Sequence, residues 1–138
     1  MKATVTARDV FVPSPEQGTG VMGGSYYTES SGNRLVSIHS LTSRSDTVDA
    51  AFVRSSDDGG ATWSDPDRWE MSFDHPRGTG RRHPRGGYVD LQTGRYISVW
   101  TEGILPSDDP LEGMIRWTLH YSVSEDGGRT QIVNEQIV

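Results

Sequence analysis

Ser56-Asp57-Asp58-Gly59-Gly60-Ala61-Thr62-Trp63 is the stretch on which the reading of this chain turns. A second version stands at Ser124-Glu125-Asp126-Gly127-Gly128-Arg129-Thr130-Gln131. The two agree at every defined position except the last, where Gln131 replaces Trp63. A word repeated at long range is the signature of a fold built from stacked copies of one unit. Its chemistry is that of a tight hairpin. Gly59 and Gly60 reach backbone conformations with φ > 0 that other residues enter only with strain. The Asp58 carboxylate and the Ser56 and Thr62 hydroxyls accept hydrogen bonds from turn N–H groups. Trp63 offers a large ring to pack between neighbouring sheets. Ser124, Asp126, Gly128 and Thr130 take the same parts in the second copy. Acidic residues beside glycine also raise a calcium-loop reading, but the twelfth position is Asp67 rather than a bidentate Glu. The word is therefore assigned to structure, and no metal is expected.

Around each copy the strand-like runs come in one order. Residues 24–28 form a short β-prone run, 29–33 a turn, 34–41 a strand and 42–47 a polar loop. Then come 48–55, the first word and a fourth strand at 69–73. The second series is 87–90, a turn at 91–94, 95–101, a longer loop at 102–113, then 114–123, the second word and 131–138. Asp58 and Asp126 are 68 residues apart, whereas the turn residues Asn33 and Gly94 are 61 apart. The extra length falls in the 102–113 loop, where repeats tolerate insertion. The fold expected is all-β: two four-stranded antiparallel meanders, blade one over 20–73 and blade two over 82–138. Residues 1–13 are left over, and their 4–12 stretch reads either as a closing strand or as a loosely packed arm.

With 138 residues the chain has room for one domain. Its 16 glycines and polar turns between short β-prone runs suit an all-β repeat rather than a disordered tail. A net charge of −6 argues against nucleic acid or an anionic membrane as a general partner. The absence of cysteine excludes disulfides and cysteine-ligated zinc. No apolar run approaches transmembrane length. The first residues have no signal-peptide pattern, so the cytoplasm is the default compartment, with secretion if a leader has been trimmed. Phosphate loops, nucleophile elbows and dinucleotide fingerprints are missing, and no cofactor is expected. Residues His39, His75 and His120 lack metal spacing and are read as packing or surface groups, and Tyr88, Tyr96 and Tyr121 as packing residues.

The repeated word resembles the Asp-box of the sialidase-like, or BNR-repeat, β-propellers, and the resemblance spans both series. It implies blades of a six-bladed propeller, the others coming from a longer chain or from association of copies. It also implies that the Asp-box turns face away from any substrate. The opposite face would carry loops 40–49, 73–86 and 102–113. The 73–86 loop holds Arg77, Arg81, Arg82, His83 and Arg85, whose guanidinium forks suit a carboxylate such as that of a sugar acid. Arg82-His83-Pro84 is similar to the Arg-Ile-Pro word of sialidases, which implies a substrate-binding role for Arg82, with Arg81 and Arg85 beside it. The family's acid/base would follow the next strand, making Glu102, Asp108 and Asp109 candidates, although Thr101 stands where the sialidase Asp would fall. The remaining sialidase residues, a Tyr nucleophile with its Glu and further Arg, have no counterpart here. An alternative for the arginines is a solvated loop that neutralises Asp74 and Asp90. Three readings follow: part of a sialidase-like glycoside hydrolase, a non-catalytic propeller segment binding glycans or proteins, or an inactive truncated piece.

Overall fold

The structure, a computed structural model, describes residues 4–5, 8–44, 48–105 and 116–138. Among these every regular element is a strand, and two antiparallel sheets form. The first contains β1 (Gly20–Tyr27), β2 (Leu35–Thr42), β3 (Ala50–Ser56) and β4 (Asp67–Trp69), paired in chain order. The second contains β5 (Ser72–His75), β6 (Gly78–Val89), β7 (Tyr96–Leu105), β8 (Arg116–Ser124) and β9 (Val133–Ile137), also in chain order. No helix among the described residues is long and apolar enough to cross a membrane.

Three expectations about strand boundaries need correction. The expected fourth strand at 69–73 is split, with Trp69 ending β4 in one sheet and Ser72 opening β5 in the other. The expected loop at 73–86 is largely strand, because β5 and β6 form a hairpin in which Ser72 pairs with Arg81 and His75 with Gly78. Gly78, at φ 135, makes its tight corner possible. The strand expected to end at Thr101 instead runs on to Leu105. No strand forms over residues 8–12. Phe11 packs on Trp63, with ring centroids 4.8 Å apart, so the Trp63 ring is in contact with the N-terminal segment.

The two Ser-x-Asp-x-Gly-x-Thr turns, termed Asp-box turns only for the motif they resemble, close in the same way. Ser56 Oγ donates to Asp58 Oδ1 at 2.8 Å and accepts from Gly60 N at 2.9 Å. Thr62 N and Oγ1 donate to the two oxygens of Asp58 at 2.9 and 2.6 Å. The second turn repeats these bonds between Ser124, Asp126, Gly128 and Thr130 at 2.6–2.8 Å. Gly60 and Gly128 sit at φ 92 and 90, as the turn requires. The Trp63 indole N–H adds a bond to the Gly60 carbonyl at 3.1 Å, and the Ser, Asp, Gly and Thr bonds of the second turn form without it where Gln131 replaces the tryptophan.

The sheets stack with a defined polarity. Successive side chains along a strand alternate between faces. Leu35 pairs with Ser56 in the first sheet, and Tyr96 pairs with Ser124 in the second, so the two meanders superpose residue for residue on these strands. We call the Val36, Ile38, Val53 side of the first sheet its front. Its equivalent in the second sheet is the Ile97, Val99, Tyr121 side. The front of the first sheet meets the back of the second, where Tyr96, Ser98 and Ser122 line a common cleft of about 270 Å³ with Val36, Ile38 and Val53. An ionic seam closes the Asp-box end of this contact. Arg34 donates from Nε to the Gly127 carbonyl at 3.0 Å and pairs with Asp57 at 2.6 Å. Arg129 bridges to Glu29 at 3.1 Å and to Asp57 at 3.0 Å.

Candidate functional site

Register brings the candidate residues together at the end of the second sheet opposite the Asp-box turns. Arg82 on β6 faces Glu102 on β7, and Glu102 faces Thr118 on β8. Trp100, two residues earlier on β7, faces His120. All five side chains therefore share one face. Arg82 Nε donates to Glu102 Oε1 at 2.8 Å, and the Trp100 indole N–H donates to the same oxygen at 3.2 Å. His120 Nε2 lies 3.6 Å from the other carboxylate oxygen, 2.9 Å from Thr118 Oγ1, and its ring stacks on Trp100 at 5.6 Å. The Arg82 guanidinium lies over the Phe73 ring, 4.5 Å from its centre. Gly80 makes room for that ring, since a Cβ there would stand 2.3 Å from it. Beside the cluster is a shallow pocket of about 150 Å³, with His75, Arg116 and Gln136 adding polar groups to its wall.

The electrostatics favour a charged carboxylate. Burial works against ionisation of Glu102, but the hydrogen bonds from Arg82 and Trp100, with the charges of His120 and Arg82, outweigh it. The net effect holds the carboxyl below its ordinary range. Such a group is an acceptor at neutral pH and not a store of a proton to donate. His83 is held below the usual imidazole range by burial and by the charges of Arg85 and Arg81. It lies on the other face of β6, where its ring meets Trp117 at 5.7 Å and Arg85 stands over the same indole.

The structure separates the expected residues. Arg82 and Glu102 meet directly. Arg81 turns away and donates to the Val48 carbonyl at 3.4 Å, and Arg85 donates to Thr101 Oγ1 at 3.2 Å. Arg81, Arg82 and Arg85 therefore lie on β6, whereas Arg77 lies in the β5–β6 turn. Asp108 and Asp109 lie outside the described residues. Trp100, Thr118 and His120 escaped the sequence reading, which placed Glu102 in a loop. Continuing the period-two alternation of β7 through Glu102 would have aligned them. Among the tyrosines, Tyr96 is buried, whereas Tyr88 is more than half exposed and Tyr121 hydrogen-bonds Glu135 at 3.2 Å. No group of three His, Asp or Glu side chains is arranged to hold a metal among the described residues.

At the opposite end the Asp-box carboxylates carry depressed pKa values for a structural reason. The Thr62 hydroxyl and N–H, with the Ser56 hydroxyl, bring Asp58 down from 3.8 to about 2. Asp126 is lowered further still by the matching donors of Thr130 and Ser124. A carboxyl lowered on folding adds stability above its unfolded pKa and loses it as pH falls through the folded value. The melting temperature is thus expected to fall between about pH 4 and pH 2 as Asp58 protonates. Circular dichroism melts across that window should show a shallower fall for Asp58→Asn, and an identical slope would remove the turns as its cause.

Compared with known proteins, the chain matches no family model and no characterised protein.

Proposed function

We propose that the two sheets are Asp-box propeller blades and that the pocket beside the Arg82–Glu102 pair binds an acidic sugar without cleaving it. The observation that carries this reading is the position of the cluster. Its guanidinium, carboxylate, indole and imidazole converge at the strand ends away from the Asp-box turns. Glu102 occupies only the Nε edge of Arg82 among the described residues, leaving the terminal nitrogens to meet a ligand carboxylate. Arg116 adds a second positive charge at the pocket wall. Thr118, His120 and Gln136 supply donors and acceptors for hydroxyl groups. Phe73 backs the guanidinium and holds it in one orientation. Binding is favoured over turnover by the ionised state of Glu102, which is committed to Arg82 and Trp100.

Isothermal titration with N-acetylneuraminate, glucuronate and neutral N-acetylglucosamine tests the reading. The two acids should bind and the neutral sugar should not. Arg82→Gln should weaken acid binding by at least about tenfold, the scale of one lost charge-assisted hydrogen bond. Equal binding of neutral and acidic sugars, or an unchanged affinity in Arg82→Gln, would overturn it. Release of sugar from a fluorogenic sialoside, lost in Glu102→Gln, would instead establish the hydrolase reading.

A further inference from the structure

The two repeats differ in what fills the space behind each sheet. Their registers superpose Leu35 on Tyr96, Ser37 on Ser98, Arg54 on Ser122 and Ser56 on Ser124. The last positions of the repeated word superpose Trp63 on Gln131. Behind the first sheet, large side chains occupy the room. Phe11 packs on the Trp63 ring, and the Arg54 guanidinium lies 5.8 Å from the centre of the same Phe11 ring. Behind the second sheet, the equivalent places hold Ser122 and Gln131. Both line the cleft of about 270 Å³ that separates them from Val36, Ile38 and Val53 of the first sheet. Where one repeat carries an indole and a guanidinium, the other carries a carboxamide and a hydroxyl, and the cleft is the room they leave.

We infer that this cleft binds a small, neutral bicyclic aromatic of indole size, seated where a tryptophan ring at position 131 would lie. Size is the first reason. A cavity of about 150 Å³ lined by apolar side chains takes up benzene, and the larger cleft has room for a fused second ring. Shape is the second. Two sheets packed about 10 Å apart leave a flat slot, and a planar ring gains dispersion contact on both of its faces there. Polarity is the third. Val36, Ile38 and Val53 form an apolar wall that would strand the hydroxyl groups of a sugar. Opposite them, the Ser98 and Ser122 hydroxyls and the Gln131 carboxamide can accept a hydrogen bond from a single ring N–H. No acid is called for, because Arg34 at the end of the cleft is committed to Asp57 and to the Gly127 carbonyl. The cleft shares no lining residue with the pocket beside Arg82 and Glu102, so the inference is independent of the ligand assigned there.

Indole itself is the probe. Isothermal titration of the whole chain should show saturable binding with a dissociation constant below about 1 mM, within reach of a ligand this small. Nuclear Overhauser contacts from the indole protons should fall on the methyl groups of Val36, Ile38 and Val53. Gln131→Trp, at an exposed position, should give the second repeat the ring of the first and weaken indole binding at least about tenfold. Ser98→Leu should fill the slot from the wall of the second sheet and weaken it likewise. Cyclohexanol, which is not planar, should bind at least about fivefold more weakly than indole. Circular dichroism confirms that each variant is folded, and the methyl contacts locate the ligand in the wild-type chain even if a variant unfolds. Absence of saturable binding up to about 5 mM indole overturns the inference. So do contacts confined to Trp117 and Leu119 on the exposed front of the second sheet, an affinity unchanged in a folded variant, or equal affinity for cyclohexanol.

Discussion

Replacing Gly87 by alanine is expected to destabilise the fold by about 3 kcal/mol, at the upper end of what an overpacked core costs. Gly87 lies on β6 against the buried Tyr96 ring. A Cβ there would stand 2.2 Å from Tyr96 Oη and 2.6 Å from Cζ. The ring cannot simply swing aside, because its other edge lies against the Asp-box turn, 3.4 Å from where a Gly128 Cβ would be. Tyr96 is 6% exposed and fills the gap between β6 and that turn. Alanine must therefore expel the tyrosine or bend β6 away from β7. For a chain of this size the loss corresponds to a fall in melting temperature of roughly 10 °C. Adding Tyr96→Phe should recover part of it by removing the closest atom, a coupling that a double-mutant cycle reads directly. A melting temperature unchanged by Gly87→Ala would mean that Tyr96 is not packed as described.

The second large effect is expected from Ser124→Ala, at about 2 kcal/mol. Ser124 is 2% exposed, and its hydroxyl is the hub of the second Asp-box. It donates to Asp126 Oδ1 at 2.7 Å and accepts from Gly128 N at 2.8 Å. Truncation leaves the partly buried Gly128 N–H without its acceptor, the costly way to lose a hydrogen bond. Thr130→Ala removes only exposed contacts to the same carboxylate and should cost less. Chemical denaturation of both variants checks the ranking. A smaller loss in Ser124→Ala than in Thr130→Ala would show that the carboxylate, not the serine, organises the turn.

The Asp-box turns were legible because their information is local. Two glycines at φ > 0 and three short polar side chains specify the hairpin within eight residues, whatever surrounds it. The β2–β3 and β7–β8 pairings followed from the alternation on either side of these turns. The β5–β6 hairpin was not legible in the same way. Residues 78–86 carry glycine, arginine and proline where strands usually carry β-branched residues, and they look like a loop. Their strand state comes from pairing. Gly80 accommodates Phe73, and the register shift between Pro84 and Gly86 absorbs the proline. That misreading hid half of the site. Arg82 and Glu102 stand out by charge, but Trp100, Thr118 and His120 join them only through the register of three strands.

The ligand reading is tested most directly at the Trp100 indole N–H, which donates to the carboxylate that holds Arg82. Its signal can be followed by proton–nitrogen correlation NMR as N-acetylneuraminate is added near neutral pH. A saturable shift of this signal in the wild-type chain, absent from folded Arg82→Gln, is the expected result. An indole signal that stays fixed while the chain is folded, or that moves equally with N-acetylglucosamine, would contradict it.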